Sequence, residues 1–345
     1  MKIKEITDNN AFNKGFYIYA ETSFIHEGVQ DYLIRLIDGA KKAQCDGIKF
    51  QILIDKDDSY NINTEIYHKL DNWCFDRKTW LDIVKYAKNM DLDVIVLPLD
   101  LQAIQFCKTN IRYIDCVEVH SVCFNDRFTL KELAEMTDVP IILGIGGRTL
   151  DEIDYALDIL SSNKNLILMY GFQSFPTEIE NINLSKIRKY KEFYDLPIGY
   201  ADHTGFNDGY GDNLVEYSYL MGARIFEKHI TLTKGEKRVD YEAAVGYRDI
   251  LTLREKLDKL RRVLGEGSKF SLNNAEIEYK NREKQLVYSK EIKAGEEITY
   301  SCLGFKICSE KSDFEQKDID KIVGCEATKD LGNDKAVRFV DIGRC

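Results

Sequence analysis

Short apolar runs alternate along the chain with segments whose apolar residues recur at helical spacing. The runs begin near residues 16, 47, 94, 113, 140, 166, 197 and 223. Each is followed by a segment with the periodicity of an amphipathic helix, for example at 32–43, 77–90, 149–160 and 248–264. Eight strand–helix units within about 260 residues match the length and repeat number of a (β/α)8 barrel. The pattern therefore predicts an α/β fold of the TIM-barrel type.

A doubly wound open sheet is the main alternative to the barrel. Such a sheet usually has fewer strands and a glycine-rich phosphate-binding turn after its first strand. Here the first strand is followed by ETSFIHEG, which lacks that fingerprint. The GIGG sequence at 144–147 is by itself no more than a strand-to-helix turn. The pattern favours the barrel.

The composition changes after Gly265, where a polar stretch typical of a linker begins. Beyond it, the segments LVYSKEIKAGEEIT and IVGCEATKDLGNDKAVRFVDI alternate apolar and polar residues around turns. We therefore expect a barrel domain at 1–266, a linker at 267–282 and a small β-rich domain at 283–345. A domain of that size is marginally stable alone, which favours packing against a barrel.

Charge and cysteine content narrow the possible classes of function. The 345 residues include 48 Lys and Arg against 58 Asp and Glu, a formal net charge of −10. Nucleic-acid binders need a basic face, so this balance argues against one, although focused cations could still bind an anionic substrate. The nine cysteines include no CxxC pair, which gives no support to a zinc-ribbon or thioredoxin-type motif. Without a signal peptide or a long apolar run, we expect a cytoplasmic protein with reduced thiols and no membrane association.

Polar side chains collect where the predicted strands end, and in a barrel these carboxyl ends meet at one mouth. Two consecutive strands end in Asp202-His203 and in Glu227-Lys228-His229, so two imidazoles could converge on one metal ion. Burying unpaired charge is costly, so the strand-end groups should pair, bind a metal or bind a ligand. For any one of them, an ion pair or a hydrogen-bonded cap is the alternative. The other strand-end residues are Glu21, Lys49, Gln51, Asp100, Glu118, His120, Arg148 and Gln173.

Several motifs, taken in order, resemble the sialic acid synthase family, which includes N-acetylneuraminate, legionaminate and pseudaminate synthases. They are YAETSFIHEG, IKFQ, FPT, IGYADHT and GARIFEKHITL, followed by LVYSKEIKAGEEIT near the carboxyl terminus. The resemblance implies a (β/α)8 barrel followed by an antifreeze-like (SAF) domain. It also implies condensation of phosphoenolpyruvate with an open-chain N-acetylated amino sugar to give a nonulosonic acid and phosphate. A divalent metal, Mn²⁺ or Mg²⁺, and a domain-swapped homodimer are further implications.

The same resemblance implies roles for individual residues. His203 and His229 match the metal ligands. Lys49 would hold the carboxylate or phosphate of the donor, and Glu21 would manage the attacking water. Asp202 is the third candidate catalytic residue. The candidate substrate-binding residues are Gln51, His120, Arg148, Gln173, Lys228 and Asp240.

The chain departs from the motifs of the family at several expected donor contacts. The strand-4 sequence is VEVHSVC rather than YKIGSGE, so the lysine is lost, and strand 5 has GIGG rather than STGM. Each lost hydrogen bond to a charged group should cost roughly 1.5–3 kcal/mol. Three functions are therefore open. They are a phosphoenolpyruvate-dependent synthase, a metal-dependent aldolase or lyase using pyruvate or another three-carbon donor, and a non-catalytic sugar-binding relative.

Overall fold

The computed structural model describes residues 2–6, 15–174, 176–265 and 270–345. The chain divides into two compact units, Met1–Gly265 and Glu266–Cys345. In the first unit eight parallel strands form a closed barrel in sequence order, which confirms the predicted architecture. The strands are β1 (Tyr17–Glu21), β2 (Gly47–Ile52), β3 (Asp93–Pro98), β4 (Cys116–Val119), β5 (Ile141–Gly144), β6 (Leu166–Tyr170), β7 (Ile198–Asp202) and β8 (Ile225–His229).

Helices follow the strands and cover the barrel. A capping box begins the helix at 150–159, because the Thr149 side chain accepts from the Glu152 backbone and the Glu152 side chain accepts from the Thr149 backbone. None of the described helices is both long and apolar enough to span a bilayer. The helices of this unit are α1 (Ile3–Ile6), α2 (Gln30–Lys42), α3 (Lys56–Ser59), α4 (Tyr67–Trp73), α5 (Arg77–Asn89), α6 (Leu101–Thr109), α7 (Arg127–Ala134), α8 (Leu150–Ile159), α9 (Ile179–Ile182), α10 (Ser185–Tyr194), α11 (Leu214–Leu220) and α12 (Tyr247–Leu264).

The barrel strands have two different faces, because successive side chains on a strand point to opposite sides. Outward-facing residues such as Ile18, Val96 and Phe226 form one large core with the helices. Inward-facing residues form a second, smaller core that also contains Ile3 and Ile6 of α1. The members of the inner core that lie on the strands are Tyr17, Tyr19, Ile95, Cys116, Ile142, Ile167, Met169, Ala201 and Ile225.

Helix α1 belongs to the amino-terminal end of the barrel. The Ile3 backbone amide donates to Asp93 Oδ2 at 2.7 Å, and Asp93 is the first residue of β3. Because α1 contributes apolar residues to the interior at this end, the polar inward-facing residues are concentrated toward the opposite, carboxyl end. That is the end at which barrel enzymes place their sites.

The second unit contains α13 (Asn274–Lys280) and the antiparallel strands β9 (Gln285–Tyr288) and β10 (Leu303–Lys306). Helix α13 lies in the interval expected to be a linker, and an Asn273–Glu276 capping box begins it. The unit has its own apolar core. The buried members of that core are Leu286, Tyr288, Ile292, Ile298, Cys302, Leu303, Ile322, Ala327, Leu331 and Val337.

One disulfide joins Cys325 to Cys345 across 20 residues of the second unit. The expectation of nine reduced thiols is therefore wrong for these two cysteines, whose pairing depends on a fold that the cysteine spacing does not reveal. The other seven cysteines are free.

Candidate metal centre and active site

Three side chains from the last two strands converge inside the barrel and could hold a metal ion. Glu227 and His229 are two residues apart on β8 and so share the inward face. His203 directly follows β7 and has the same parity as Ala201, which is paired with Glu227 across the two strands. The rings of His203 and His229 are 5.1 Å apart. One ligand atom from each of the three residues lies within 4.8 Å of the other two.

The histidines of this triad, defined as His203, Glu227 and His229, are electrostatically suited to metal binding. Burial lowers the pKa of His203 to about 4 and that of His229 to about 4. Both imidazoles are therefore neutral at pH 7 and offer a nitrogen lone pair. His203 Nδ1 is buried and has no hydrogen-bond partner within the described residues. The other ring nitrogen, Nε2, lies 3.9 Å from Glu227 Oε1 and is the one directed toward the rest of the triad.

Lys49 of β2 connects the triad to three other strands. Its Nζ lies 2.9 Å from Glu21 Oε2, 2.9 Å from Glu118 Oε1 and 2.7 Å from Glu227 Oε2. The Tyr19 hydroxyl lies 2.5 Å from Glu227 Oε2 and 3.2 Å from Glu118 Oε2. We call Lys49, Tyr19, Glu21, Glu118 and Glu227 the Lys49 cluster. Glu227 belongs to both groups, so the lysine and the candidate metal site share one carboxylate.

The carboxyls of the Lys49 cluster differ in their affinity for a proton. Burial raises the pKa of Glu118 above its ordinary value, and the charge of Lys49 offsets this only in part. Burial would also raise the pKa of Glu227, but Lys49, His203 and His229 together hold it below its ordinary value. Burial would lower the pKa of Lys49, whereas Glu118 and Glu227 raise it, so the ammonium stays charged. Within the cluster, Glu227 therefore stays ionised, whereas Glu118 takes up a proton more readily.

Four further predicted residues lie around this centre. Gln51 Nε2 donates to Glu21 Oε1 at 3.1 Å, and Gln173 Nε2 donates to Asp240 Oδ1 at 2.9 Å. Burial lowers the pKa of His120 to about 4, and the charges of Lys49, Glu227, His203 and Asp240 also act on this pKa. His120 therefore lies within electrostatic range of the triad and of the Gln173–Asp240 pair.

The side chains of Asp202 and Lys228 do not point into the barrel interior. They are registered opposite each other on β7 and β8, and Lys228 Nζ lies 2.7 Å from Asp202 Oδ2. Both line a small cavity of about 100 Å³ with Val215 of α11 and Ile250 of α12, on the helix-covered side of the sheet. Strand alternation explains this, because each residue is one position away from an inward-facing histidine. The expected catalytic role of Asp202 and substrate-binding role of Lys228 do not fit this placement.

Arg148 also makes its ion pair outside the Lys49 cluster. Its Nη1 lies 3.4 Å from Glu152 Oε1, one helical turn further along the chain at the start of α8.

Tyr19 lies in the barrel interior but was not among the predicted site residues, although its hydroxyl contacts two carboxylates. Its position two residues before Glu21 on the same strand was the available signal, since alternation places both on one face.

Comparisons with known proteins agree with the motifs. A sequence model of the NeuB family matches residues 36–269, more than half of the chain. An uncharacterized protein of Methanocaldococcus jannaschii is 27% identical over 84% of this chain and 84% of its own length. The N,N'-diacetyllegionaminic acid synthase of Campylobacter jejuni is 24% identical over 93% of this chain and 98% of its own. The crystal structure of an N-acetylneuraminic acid synthetase from Leptospira borgpetersenii superposes with a TM-score of 0.69 at 26% identity, covering 78% of this chain and 92% of that one.

Proposed function

We propose that this chain, which belongs to the NeuB family, is a metal-dependent enzyme that joins a three-carbon donor to the aldehyde of an open-chain N-acetylated amino sugar. The observation that carries the proposal is the convergence of His203, Glu227 and His229 beside Lys49 at the mouth of the barrel. With phosphoenolpyruvate, the donor implied by the motifs, the product would be a nonulosonic acid. In that reaction the donor C3 bonds to the aldehyde carbon, water adds at C2, and the C2–O bond breaks to release phosphate.

The three residues of the triad would hold a divalent ion. Two neutral imidazoles and one carboxylate suit Mn²⁺ better than Mg²⁺, which prefers an all-oxygen shell. When bound, such an ion would polarise the aldehyde oxygen and make its carbon a better electrophile. Glu227 is suited to this position because Lys49 and Tyr19 fix its second oxygen, leaving Oε1 3.9 Å from His203 Nε2.

Proton handling would fall to the carboxyls of the Lys49 cluster. Glu21 is held in one orientation, since its Oε1 accepts from the Ser23 amide at 2.7 Å and from Gln51 Nε2 at 3.1 Å. A fixed carboxylate at the mouth is suited to orienting a water for attack. Glu118, with its raised pKa, can take up or release a proton near neutral pH.

The sugar would be positioned by the polar groups at the rim. Asp240 can accept hydrogen bonds from sugar hydroxyls, and Gln173 keeps its carboxylate oriented. The backbone of Asp240 has a φ of 58°, a left-handed conformation that is uncommon outside glycine.

The experiment is product formation by the full-length chain supplied with Mn²⁺. Either phosphoenolpyruvate or pyruvate is combined with a panel of N-acetylated hexosamines, and products are identified by mass spectrometry. We expect a new nine-carbon or analogous 2-oxo acid that disappears with EDTA. The matched variant is His229→Ala, which should form none. A folded, manganese-loaded chain that gives no product with either donor and any sugar would contradict the proposal.

We further propose that the second unit is an SAF-like domain and that the protein is a homodimer. The small antiparallel sheet of that unit and the motif LVYSKEIKAGEEIT support the first statement. Sedimentation should give about twice the 39.9 kDa mass of one chain. A monomer at all concentrations would contradict the dimer.

A further inference from the structure

We infer that Arg238 is a positioning residue for the acceptor sugar, because it ties the loop that carries Asp240 to the loop that follows β1. The inference rests on the proposed function and deepens it, since Asp240 is the residue proposed to contact sugar hydroxyls. Arg238 acts through the position of Asp240 and not by contact with the reacting atoms.

Asp240 lies in the loop at 230–246, which connects β8 to α12. The base of this loop is fixed to the barrel, because Ile230 and Val245 form a β-bridge. Arg238 and Asp240 both lie in the tip of the loop, away from that bridge. The position of Asp240 is therefore set by contacts that the tip makes with other loops rather than by the sheet.

Two contacts from neighbouring barrel loops hold this part of the tip. Gln173, which follows β6, donates from Nε2 to Asp240 Oδ1 at 2.9 Å. Glu27, which follows β1, accepts through Oε1 from the Val239 backbone amide at 3.3 Å. Because Val239 is the residue directly before Asp240, a displacement of Glu27 would be passed to the backbone of Asp240.

Arg238 holds Glu27 in place for this contact. Its Nη1 lies 3.2 Å from Glu27 Oε2 and donates to the Ile25 carbonyl at 3.2 Å, and its Nε lies 3.0 Å from Glu236 Oε1. The guanidinium also lies 4.1 Å from the centroid of the Tyr32 ring. The Arg238 side chain is only 19% exposed, so these contacts are better shielded from solvent than an ordinary surface ion pair. A planar guanidinium can make them together, whereas a lysine ammonium cannot.

The loop after β1 is a fixed point of attachment, because it packs closely on its other side. Gly28 has a φ of 80°, and a Cβ at this position would lie 1.8 Å from the Asn72 carbonyl oxygen. The Gly28 amide donates to Nδ1 of His26, whose buried ring stacks on Phe75. Arg238 thus connects the tip that carries Asp240 to a closely packed part of the barrel.

A purely structural role is the alternative, in which Arg238 stabilises two loops without influencing the site. The two roles predict different measurements. A structural contact changes the free energy of unfolding but leaves sugar affinity unchanged in the folded protein. A positioning residue changes sugar affinity while Mn²⁺ affinity is retained, because the candidate metal ligands lie on or directly after β7 and β8 and not in this loop.

The test is isothermal titration of the full-length, manganese-loaded chain with the panel of N-acetylated hexosamines, N-acetylmannosamine and N-acetylglucosamine among them. All variants are compared at a temperature at which they are folded. We expect Arg238→Met to bind sugar about tenfold more weakly than the wild type, because a small misplacement of a positioned group has a large effect. Arg238→Lys should lie between the two. The matched control is Lys237→Met, which removes an exposed cation of the same loop and should leave sugar affinity unchanged.

Glu27→Gln breaks the same link from its other end. It keeps the size of the side chain but removes the charge that pairs with Arg238, so it should also weaken sugar binding. If Arg238 acts through Glu27, the double variant should bind sugar no more weakly than the weaker of the two single variants. Losses that combine fully in the double variant would show that Arg238 acts by another route and would overturn the inference.

The remaining outcomes are also distinct. An unchanged sugar affinity in folded Arg238→Met would overturn the inference, and if that variant does not fold, the same result in Arg238→Lys and Glu27→Gln would do so. A wild type that binds none of the sugars, or a parallel loss of Mn²⁺ affinity in the variants, would overturn it as well. Product formation with a sugar KM that Arg238→Met leaves unchanged would support the proposed function and overturn the inference. Sugar binding that depends on Arg238, without product from either donor, would contradict the proposed function and support the inference.

Discussion

Two lysine–carboxylate groups lie on opposite faces of the same barrel wall, and their surroundings differ sharply. Inside, Lys49 contacts three carboxylates and shares Glu227 with two imidazoles. Outside, Lys228 contacts Asp202, whose other oxygen accepts from Thr204. Glu227 and Lys228 are adjacent in sequence. One residue of strand register therefore separates a centre with surplus negative charge from an ion pair that is already balanced.

This difference in charge balance indicates which of the two groups binds a ligand. A buried pair with matched charges and satisfied hydrogen bonds is stable as it is, and nothing further is needed to complete it. The inner group has more carboxylates than cations. Its charge is incomplete in a way that a divalent ion would correct.

Removing a triad histidine is expected to have the largest effect. His229→Ala deletes one of two imidazole ligands, so Mn²⁺ affinity and product formation should each fall by more than about 100-fold. Titration calorimetry and the product assay measure the two quantities. Retention of full manganese affinity would show that the inner group is not the metal site. The proposed difference between the inner group and the outer pair would then be wrong.

Replacing the inner lysine should come next in size. Lys49→Met leaves three buried carboxyls without their cation, and breaking a buried charge network of this kind costs about 3–5 kcal/mol of the free energy of unfolding. Denaturant unfolding measures this loss. Because Mn²⁺ would supply replacement charge, its addition should recover part of the stability. A loss that manganese leaves unchanged would argue that the ion binds elsewhere.

The corresponding outer change should be smaller and should spare the ligand site. Lys228→Met leaves Asp202 with its hydrogen bonds from Thr204, so we expect a loss of about 1–3 kcal/mol in the free energy of unfolding. Mn²⁺ affinity at a temperature where the variant is folded should be unchanged. A large drop in that affinity would show that the outer pair contributes to the metal site, against its placement.

Stability should also depend on pH. Burial lowers the pKa of His26 to about 3 and the pKa values of His120, His203 and His229 to about 4, against about 6.5 in an unfolded chain. The raised pKa of Glu118 acts in the opposite direction, but the four histidines outnumber this one carboxyl. Between about pH 4 and 6.5 the unfolded chain therefore binds more protons, so stability should fall as the pH drops through that window. Thermal unfolding at fixed ionic strength measures the slope.

His26→Gln provides the matched control for that slope. His26 stacks on Phe75 outside the triad, so the variant should lower the pH dependence without changing the additional stabilisation that Mn²⁺ gives. A slope that is the same in the variant would show that His26 does not titrate as its burial implies.

Much of the barrel could be predicted from sequence because each strand is a short apolar run with a helix after it. The shared face of Lys49 and Gln51 followed from alternation alone. The same rule, counted outward from His203 and His229, would have placed Asp202 and Lys228 on the other side. Their polar character at a strand end suggested a site, whereas only the register across β7 and β8 shows that they satisfy each other.

The contacts within the Lys49 cluster could not be predicted from strand alternation. It joins β1, β2, β4 and β8, and Lys49 and Glu227 are 178 residues apart. Their contact depends on how the barrel closes, where β8 pairs with β1 and Glu21 lies opposite His229. The sequence showed which polar residues end the strands, but the pairing of one lysine with three carboxylates requires the closed barrel.

The most direct measurement is anomalous diffraction at the manganese edge from crystals of the full-length chain grown with Mn²⁺. The account predicts one strong peak inside the barrel, at coordination distance from His203, Glu227 and His229. A peak at the outer Asp202–Lys228 pair, or an interior without manganese while other sites in the crystal are occupied, would contradict it.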